Sequence, residues 1–373
     1  MNEDKATRYH RLRRRADLLA LGAVGSVLAG LVASGAVFRL REVSAVLGEL
    51  LPGIEGDAAT VVVMATVLFL LVQALELPFA WYQGFSLEHR YGLATVSARH
   101  WIADHLKGAA LSVAFGVAAA SAVYALLRAT PDWWWAWAAL LAFVALVAVT
   151  QLAPVVLLPL FYRFTPLDRP ALAARLHALG ARTRLPVAGV YEWQVSGHTR
   201  KANAALAGLG RTRRILLSDT LLAGYSDDEI EVVLAHELSH HVHHDLWRMM
   251  ALQAVMIAGG FLAAHAVLGT WAEAIGLRGA ADPAGLALLL LVAGAWAGAW
   301  LPILNAASRA HERRADRFAL ELTRNPAAFI SAMRRLGQQN MAEDDPPPLA
   351  AWLFHSHPTV RARIQAALTW EAR

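Results

Sequence analysis

No cysteine occurs among the 373 residues of the chain. Disulfide bonds are therefore excluded, and so is any metal site that depends on thiolate ligands. Imidazole and carboxylate side chains are the other strong protein ligands for transition metals. If this chain binds such a metal, the ligands must come from its 15 histidines and 29 acidic residues.

Charged residues are scarce, at 17% of the chain, whereas 57% of the residues are hydrophobic. The apolar residues gather in runs of about 20, which is the length of a helix that crosses a bilayer. These runs are apolar on every side, unlike the amphipathic helices of a soluble core. The pattern predicts a polytopic membrane protein rather than a large soluble helical one. The six predicted spans lie near residues 18–38, 59–82, 105–128, 133–160, 250–270 and 284–305.

A cluster of basic residues precedes the first predicted span. Its members are Arg8, Arg11, Arg13, Arg14 and Arg15. The positive-inside rule places this cluster in the cytoplasm, and six spans then return the C-terminus to the same side. No nucleic-acid-reading module accompanies the arginines, so a nucleic-acid partner is not expected. A cleavable signal peptide is an alternative, although the first apolar run, at about 21 residues, is longer than a typical signal core.

The segment between the fourth and fifth predicted spans has ordinary polarity. A turn or cap at 165–168 opens it, and a helix is predicted near 169–182. Gly208 and Gly210 mark a turn between the last two of three predicted strands. A small sheet of this kind has an edge strand, to which an extended peptide can add through main-chain hydrogen bonds. The predicted strands are 187–193, 203–207 and 214–217.

The strongest motif is His236-Glu237-Leu238-Ser239-His240. Residues four apart on a helix share a face, so both imidazoles can bind one zinc ion at about 2.0–2.1 Å. Glu237 can then act as the general base that activates water for attack on a peptide bond. Ser226 and Glu229 form a capping box at the start of the helix, and apolar residues recur after it at helical spacing. This context makes chance a poor explanation for the motif.

A third zinc ligand must lie further along the chain. The pattern of the Met-turn metalloproteases fails, because Leu246 stands where they have a histidine. Glu312 is the best candidate, since it follows the sixth span on the same side of the membrane as the HExxH helix. Asp316 is one helical turn later, where it can orient a ligand. The alternative is that both carboxylates simply pair with Arg309 and Arg313.

The same predicted helix carries three more histidines: His241, His243 and His244. They are extra candidate ligands, but they are expected to face solvent or the membrane interface. His244 is the strongest of the three, because it shares a helical face with His240.

The chain resembles the type 1 CAAX prenyl proteases, which are integral-membrane zinc metallopeptidases. The likeness runs from residue 75 to 370 and rests on several short motifs in the family's order, together with HExxH. The other motifs are Leu77-Pro78-Phe79, Tyr82, Phe85, Glu88, Gly92, Asp104, Lys107, Phe164-Thr165-Pro166-Leu167, Asn203-Ala204, the stretch from Arg214 to Leu222, the Glu312 and Asp316 pair, Ser356-His357-Pro358 and Arg363-Ile364.

The resemblance implies one zinc ion, with Glu237 as the base. It also implies that Asn203 holds substrate on the edge strand and that His357 approaches the metal and stabilises the oxyanion. The family encloses a water-filled chamber in a ring of helices, with the zinc site near the cytoplasmic side, and it cleaves prenylated CAAX peptides. The implied zinc ligands are His236, His240 and Glu312.

The chain departs from the family in one respect, because four predicted spans precede HExxH where the family typically has five. A first helix is then expected to be missing. If the source is prokaryotic, membrane-protein turnover is a more natural task than cleavage of prenylated peptides. The second-ranked family is the HtpX-type heat-shock peptidases, which lack the segment from Pro78 to Gly92. A polytopic transporter or metal sensor is an alternative of another class, and its metal binding would tolerate loss of Glu237.

Together these observations predict a mainly helical, polytopic membrane bundle with a small cytoplasmic α+β peptidase portion. The expected partners are a prenylated or membrane-associated peptide or protein and the lipid bilayer. Four regions are predicted: 1–163 with four spans, 164–249 with the HExxH helix, 250–305 with two spans, and 306–373 with Glu312.

Overall fold

The structure, a computed structural model, describes residues 4–152, 156–208, 210 and 213–371. Most of the described residues are helical. A π-helical turn, Tyr82–Leu87, joins α3 to α4. The helices are α1 (Lys5–Ala33), α2 (Ala36–Gly48), α3 (Gly56–Trp81), α4 (Glu88–Arg90), α5 (Ala98–Ala129), α6 (Trp134–Leu152), α7 (Pro170–Arg182), α8 (Asp219–Gly224), α9 (Asp227–Val242), α10 (Asp245–Trp271), α11 (Leu286–Thr323), α12 (Pro326–Gln339), α13 (Pro348–Phe354) and α14 (Val360–Glu371).

Six helical segments among the described residues are long and apolar enough to cross a membrane, which confirms the predicted number of spans. The spanning segments are Lys5–Ala33, Gly56–Arg90, Ala98–Ala129, Trp134–Leu152, Asp245–Trp271 and Pro283–Thr323.

The first and fourth spans end earlier than predicted. Helix α1 stops at Ala33 because Gly35 adopts a left-handed backbone (φ 71°), which glycine does without steric cost. The basic cluster lies within α1 rather than ahead of it. The predicted fourth span ran to residue 160, but α6 ends at Leu152, and residues 153–155 lie outside the described part of the chain.

The membrane helices pack around their own apolar core. Helix α3 packs against α2 and α5, and α10 packs against α6 and α11. Met64, Leu68 and Tyr124 are fully buried there. Within the same bundle, Arg41 Nη1 lies 2.5 Å from Asp282 Oδ2, so this buried charge has a partner.

Four strands form one sheet, in the order β1-β2-β4-β3. Strands β2 and β4 are parallel, and the two outer pairs are antiparallel. Three strands were predicted, whereas the second half of β1 falls in the turn or cap that was predicted at 165–168. Pro166 favours that interpretation, but β1 is an edge strand, where a missing N–H costs no ladder hydrogen bond. The strands are β1 (Arg163–Pro166), β2 (Gly189–Gln194), β3 (Ala204–Ala207) and β4 (Arg214–Ser218).

Helix α9 lies at the centre of a second apolar core, between the sheet and helices α7, α11 and α12. Leu234 and Leu238 of α9 are fully buried, as are Leu176 and Phe329 of the surrounding helices. Burial of a leucine side chain contributes roughly 1.5–3 kcal/mol to folding. The packing therefore holds α9 firmly against its neighbours.

Helix α11 is a single helix of 38 residues that joins the membrane bundle to this second core. It continues through Pro302, a residue that membrane helices tolerate when neighbouring groups take over the freed carbonyl. At 1.5 Å per residue its length is about 57 Å, which exceeds the roughly 30 Å of a bilayer core. The end that leaves the membrane carries Glu312 and Asp316 alongside α9.

Candidate active site

The HExxH helix begins with the predicted capping box. The Ser226 hydroxyl accepts a hydrogen bond from the Glu229 backbone N–H (3.3 Å), and the Glu229 carboxylate accepts one from the Ser226 N–H (2.8 Å). Together with the buried leucines of α9, this cap fixes the rotation of the helix. The direction in which the motif's side chains point is fixed with it.

Three predicted ligands converge between α9 and α11. His236 Nε2 lies 3.3 Å from one Glu312 carboxylate oxygen, and His240 Nε2 lies 3.4 Å from the other. One potential ligand atom from each residue falls within 4.8 Å of the other two. The imidazole centroids are 5.0 Å apart, and the rings are nearly perpendicular. Side chains in this arrangement can bind one metal ion in common.

Each of the two imidazoles contacts a further carboxylate through its other ring nitrogen, Nδ1. Asp316 Oδ1 lies 3.0 Å from His236 Nδ1, and Asp245 Oδ2 lies 3.0 Å from His240 Nδ1. Arg363 donates a hydrogen bond of 2.9 Å from Nε to Asp316 Oδ2. A carboxylate behind each histidine is the usual way in which metal-site imidazoles are oriented.

The electrostatics of the site favour positive charge. Burial alone would lower the pKa of His236, but the carboxylates of Asp316 and Glu312, whose oxygens lie 3.0 and 3.3 Å from its ring nitrogens, outweigh burial and raise that pKa to about 9. The pKa of His240 is also raised, because its contact with Glu312 outweighs burial. A cation at this point, whether a proton or a metal ion, is therefore stabilised by the surrounding carboxylates.

Glu312 Oε2 provides a direct test of whether the residues suit a metal. This atom is buried, and among the described residues it has no hydrogen-bond partner. Nitrogens of His236 and His357 lie 3.3 and 2.7 Å away, but neither contact has hydrogen-bond geometry. A buried carboxylate oxygen without a donor is costly unless a cation binds it. The donor set, two imidazoles and one carboxylate, fits the group that HExxH implies.

Glu237 lies beside the ligands and lines a groove of about 450 Å³. Burial raises the pKa of its carboxyl group because it disfavours the charged form. A base whose pKa moves toward neutrality can both accept and return a proton at working pH. The position of Glu237 therefore suits the predicted role, which stays a prediction.

The same groove contains the two residues that were assigned by resemblance alone. Asn203 directly precedes β3, one of the two edge strands of the sheet, and its backbone N–H donates to Ser218 Oγ (2.9 Å). His357 comes from the loop before α14, and its side chain is 62% exposed with Nδ1 2.7 Å from Glu312. All seven predicted site residues are thus brought to one place, while their roles remain predictions.

The neighbouring histidines make other contacts. Nε2 of His241 lies 3.0 Å from the Leu206 carbonyl, and Nδ1 of His243 lies 2.9 Å from the Ser239 carbonyl. His244 does not share a face with His240, because α9 ends at Val242 and His244 has a left-handed backbone (φ 55°).

Sequence reasoning missed two members of the site. Asp245 follows the helix end, so no helical spacing connected it with His240. Arg363 was noted as part of a motif, but nothing local linked it to Asp316, which is 47 positions away. A search for carboxylates close behind the HExxH motif would have found only Asp245.

Two family models cover almost the whole chain. The model described as peptidase family M48 matches residues 166–371, which is more than half of the sequence. The model described as CAAX prenyl protease N-terminal, five membrane helices, matches residues 4–163. The second match begins well before residue 75, where the sequence motifs placed the start of the likeness. Four of the candidate spans lie in this matched region.

Individual proteins that are similar to this chain are also named as proteases. An uncharacterized metalloprotease of Bacillus subtilis, YhfN, is 29% identical over 305 residues, covering 81% of this chain and 71% of the relative. A CAAX prenyl protease 1 homolog of Oryza sativa is 28% identical over 307 residues, covering 79% and 70%. The CAAX prenyl protease 1 of Saccharomyces cerevisiae is 26% identical over 314 residues, covering 78% and 68%.

The fold is shared with a solved structure. The crystal structure of S. mikatae Ste24p matches with a TM-score of 0.83 at 23% identity, covering 98% of this chain and 90% of that one. This likeness confirms the predicted helical membrane architecture with its small sheet. Given the extent of the M48 match and the six apolar spans, the chain belongs to peptidase family M48 and is a multi-pass membrane metalloendopeptidase.

Proposed function

We propose that this protein is a zinc endopeptidase in which His236, His240 and Glu312 hold the ion. The observation that carries the proposal is the convergence of these three side chains around a buried carboxylate oxygen with no hydrogen-bond partner in the described residues. Two imidazoles and one glutamate, with one position left open, form a usual ligand set of catalytic zinc.

Each protein group then has a defined task. Zinc, when bound, supplies the positive charge that polarises the scissile carbonyl and acidifies water. Glu237 takes a proton from the attacking water and delivers it to the leaving amine. His357, exposed at the mouth of the groove, donates a hydrogen bond to the oxyanion. Asp245 and Asp316 keep the two histidine rings in position.

The substrate lies extended along β3. The outer edge of this strand has no neighbour in the sheet order, and the groove begins at its first residues. An extended peptide added there gains main-chain hydrogen bonds. Because the relatives include proteins named as CAAX prenyl proteases and the peptidase portion adjoins the membrane, we propose a prenylated or membrane-associated peptide as substrate.

Metal removal tests the function. Chelation of the purified protein is expected to abolish cleavage, because the three proposed ligands then hold no cation, and added Zn²⁺ is expected to restore it. The measurement is the release of fluorescence from a quenched peptide library that includes farnesylated and unmodified members. Full cleavage by the metal-free protein would contradict the proposal. Equal rates on both peptide classes would contradict only the prenyl preference.

Asn203→Ala is expected to raise KM. Loss of one neutral hydrogen bond to bound substrate costs about 0.5–1.5 kcal/mol, so the increase is about two- to tenfold while kcat changes little. Steady-state kinetics on a single peptide separates the two constants. A fall in kcat at constant KM would show that Asn203 acts on the transition state instead.

The active site and both termini are proposed to face the cytoplasm. Because the chain has no cysteine, single cysteines can be introduced at exposed positions and labelled in intact cells with a membrane-impermeant maleimide. Glu273→Cys, in the loop after the fifth span, is expected to react from outside. Arg361→Cys, in α14, is expected to react only after the cells are opened. The reverse pattern would invert the topology.

A further inference from the structure

A second group of metal-binding side chains lies where α5 meets the loop between β2 and β3. His100 and Asp104 stand one turn apart on α5, and His198 comes from the loop. One potential ligand atom from each residue lies within 4.8 Å of the other two. None of these residues belongs to the groove or to the ligand set of the active site.

The cluster shares some features with the active site, namely two imidazoles and one carboxylate from neighbouring elements. Both imidazoles direct Nε2 at the Asp104 carboxylate, with Oδ2 at 3.4 Å from His100 and 3.1 Å from His198. The ring centroids are 4.9 Å apart and the rings are inclined at 78°, against 5.0 Å and 84° for the two HExxH histidines. A similarly inclined imidazole pair beside a carboxylate thus occurs twice among the described residues, although both imidazoles here approach one oxygen, whereas in the active site each approaches a different one.

Neighbouring side chains restrain two of the three members of the cluster. Lys107 Nζ lies 2.9 Å from the other carboxylate oxygen, Oδ1, and so leaves Oδ2 for the imidazoles. The Tyr162 ring contacts His198, with centroids 5.0 Å apart. His198 Nδ1 is buried and has no hydrogen-bond partner among the described residues, so packing against Tyr162, rather than a hydrogen bond, orients this ring. The His100 side chain is 56% exposed, so an ion has an entry path and room for water.

We propose that His100, Asp104 and His198 form a second site for a divalent cation, with Zn²⁺ as the metal that best suits two imidazoles and one carboxylate. This site is separate from the catalytic one, since it requires none of the same residues.

A cation here would fasten the third membrane span to the substrate-binding side of the peptidase portion. The Thr95 backbone N–H already donates to the His198 carbonyl (3.1 Å), and the Thr95 hydroxyl donates to the Ser196 carbonyl (2.6 Å). The same loop continues into Asn203 and strand β3. The Thr199 hydroxyl and the Arg200 backbone N–H also donate to the Leu93 carbonyl, at 3.0 and 2.7 Å. The bound ion therefore adds a further connection and holds the approach to the edge strand in place.

The competing interpretation needs no metal. His198 Nε2 can donate a hydrogen bond to Asp104 Oδ2 (3.1 Å), His100 Nε2 lies 3.4 Å from the same oxygen, and Lys107 balances the carboxylate charge. The two interpretations differ in one measurable quantity, the number of zinc ions per chain.

The experiment loads the purified full-length protein with Zn²⁺ in detergent, removes free ion by gel filtration and counts bound zinc by mass spectrometry. We expect about two zinc ions in the wild type, about one in His198→Ala, and about two in His177→Ala, an exposed histidine control on α7. His100→Gln is also expected to hold about one, and because this side chain is exposed the change leaves packing intact.

Two results would overturn the proposal: wild type with about one zinc ion, or unchanged zinc content in both His198→Ala and His100→Gln. A His236→Ala background separates this site from the catalytic one. There we expect about one ion, which is lost on adding His100→Gln. Zinc that responds to His100→Gln but not to His236→Ala would retain the second site and refute the proposed catalytic ligands instead.

Discussion

Glu237→Gln is expected to lower the rate of peptide cleavage by about 10²–10⁴-fold, the usual contribution of a positioned general base, while zinc content stays at the wild-type level. The amide keeps the size of the glutamate and its place in the groove, but it does not accept a proton from water. Glu237 is not one of the proposed ligands, so the ligand set is unchanged. Initial rates on one peptide, paired with zinc counts on the same preparation, give both quantities.

The matched control is Glu321→Gln, which removes an exposed carboxylate from the end of α11. Its rate is expected to equal that of the wild type. Cleavage by Glu237→Gln at the wild-type rate would remove the base from the mechanism. A wild type that holds zinc but cleaves no peptide, prenylated or not, would revive the alternative of a membrane metal sensor.

His240→Ala is expected to lose one zinc ion relative to the wild type and to reduce cleavage to background. Two of the three proposed ligands, His236 and Glu312, remain in this variant. A catalytic zinc site with two protein ligands is below the usual three. Equilibrium dialysis against buffered Zn²⁺, followed by kinetics, measures both effects. Retention of the wild-type zinc count and rate would exclude His240 as a ligand.

A smaller effect on zinc affinity is expected from a change at Asp245, which contacts the proposed ligand His240 rather than the ion. Asp245→Asn should weaken zinc affinity about 10–100-fold, which is typical when the group behind a metal-binding histidine is changed. The exposed Asp344→Asn provides the control. Unchanged affinity in Asp245→Asn would mean that Asp245 serves only its ion pair with Arg314.

The sequence predicts those parts of the molecule that depend on local spacing. Membrane helices are recognisable because each satisfies its backbone hydrogen bonds internally, so length and apolarity suffice. The HExxH pair needs only the helical repeat, and Glu312 could be selected because membrane topology leaves few positions on the right side. The capping box at Ser226 is equally local, and its prediction is confirmed.

The wrong or missing predictions concern features that tertiary contacts determine. Strand β1 was not predicted because its proline favours a turn. Proline is tolerated at the edge of a sheet, but no local pattern reveals that this segment forms an edge strand. His244 was placed on the HExxH face by assuming that the helix continued, whereas its backbone turns left-handed. Arg363 reaches Asp316 from a separate helix. Such contacts follow from how α9, α11 and α14 pack, and a single sequence does not encode them as a spacing.

The continuity of α11 has a consequence for the biogenesis of the enzyme. The histidines of the proposed metal site precede the fifth span, and Glu312 lies towards the C-terminal end of the helix that forms the sixth, so two spanning segments begin between the proposed ligands along the chain. During synthesis the histidines are made first, and Glu312 becomes available to them only after the last helical hairpin has been inserted. If Glu312 is the third ligand, catalytic competence is gained only once the sixth span is in place, because a partly inserted chain lacks a complete metal site.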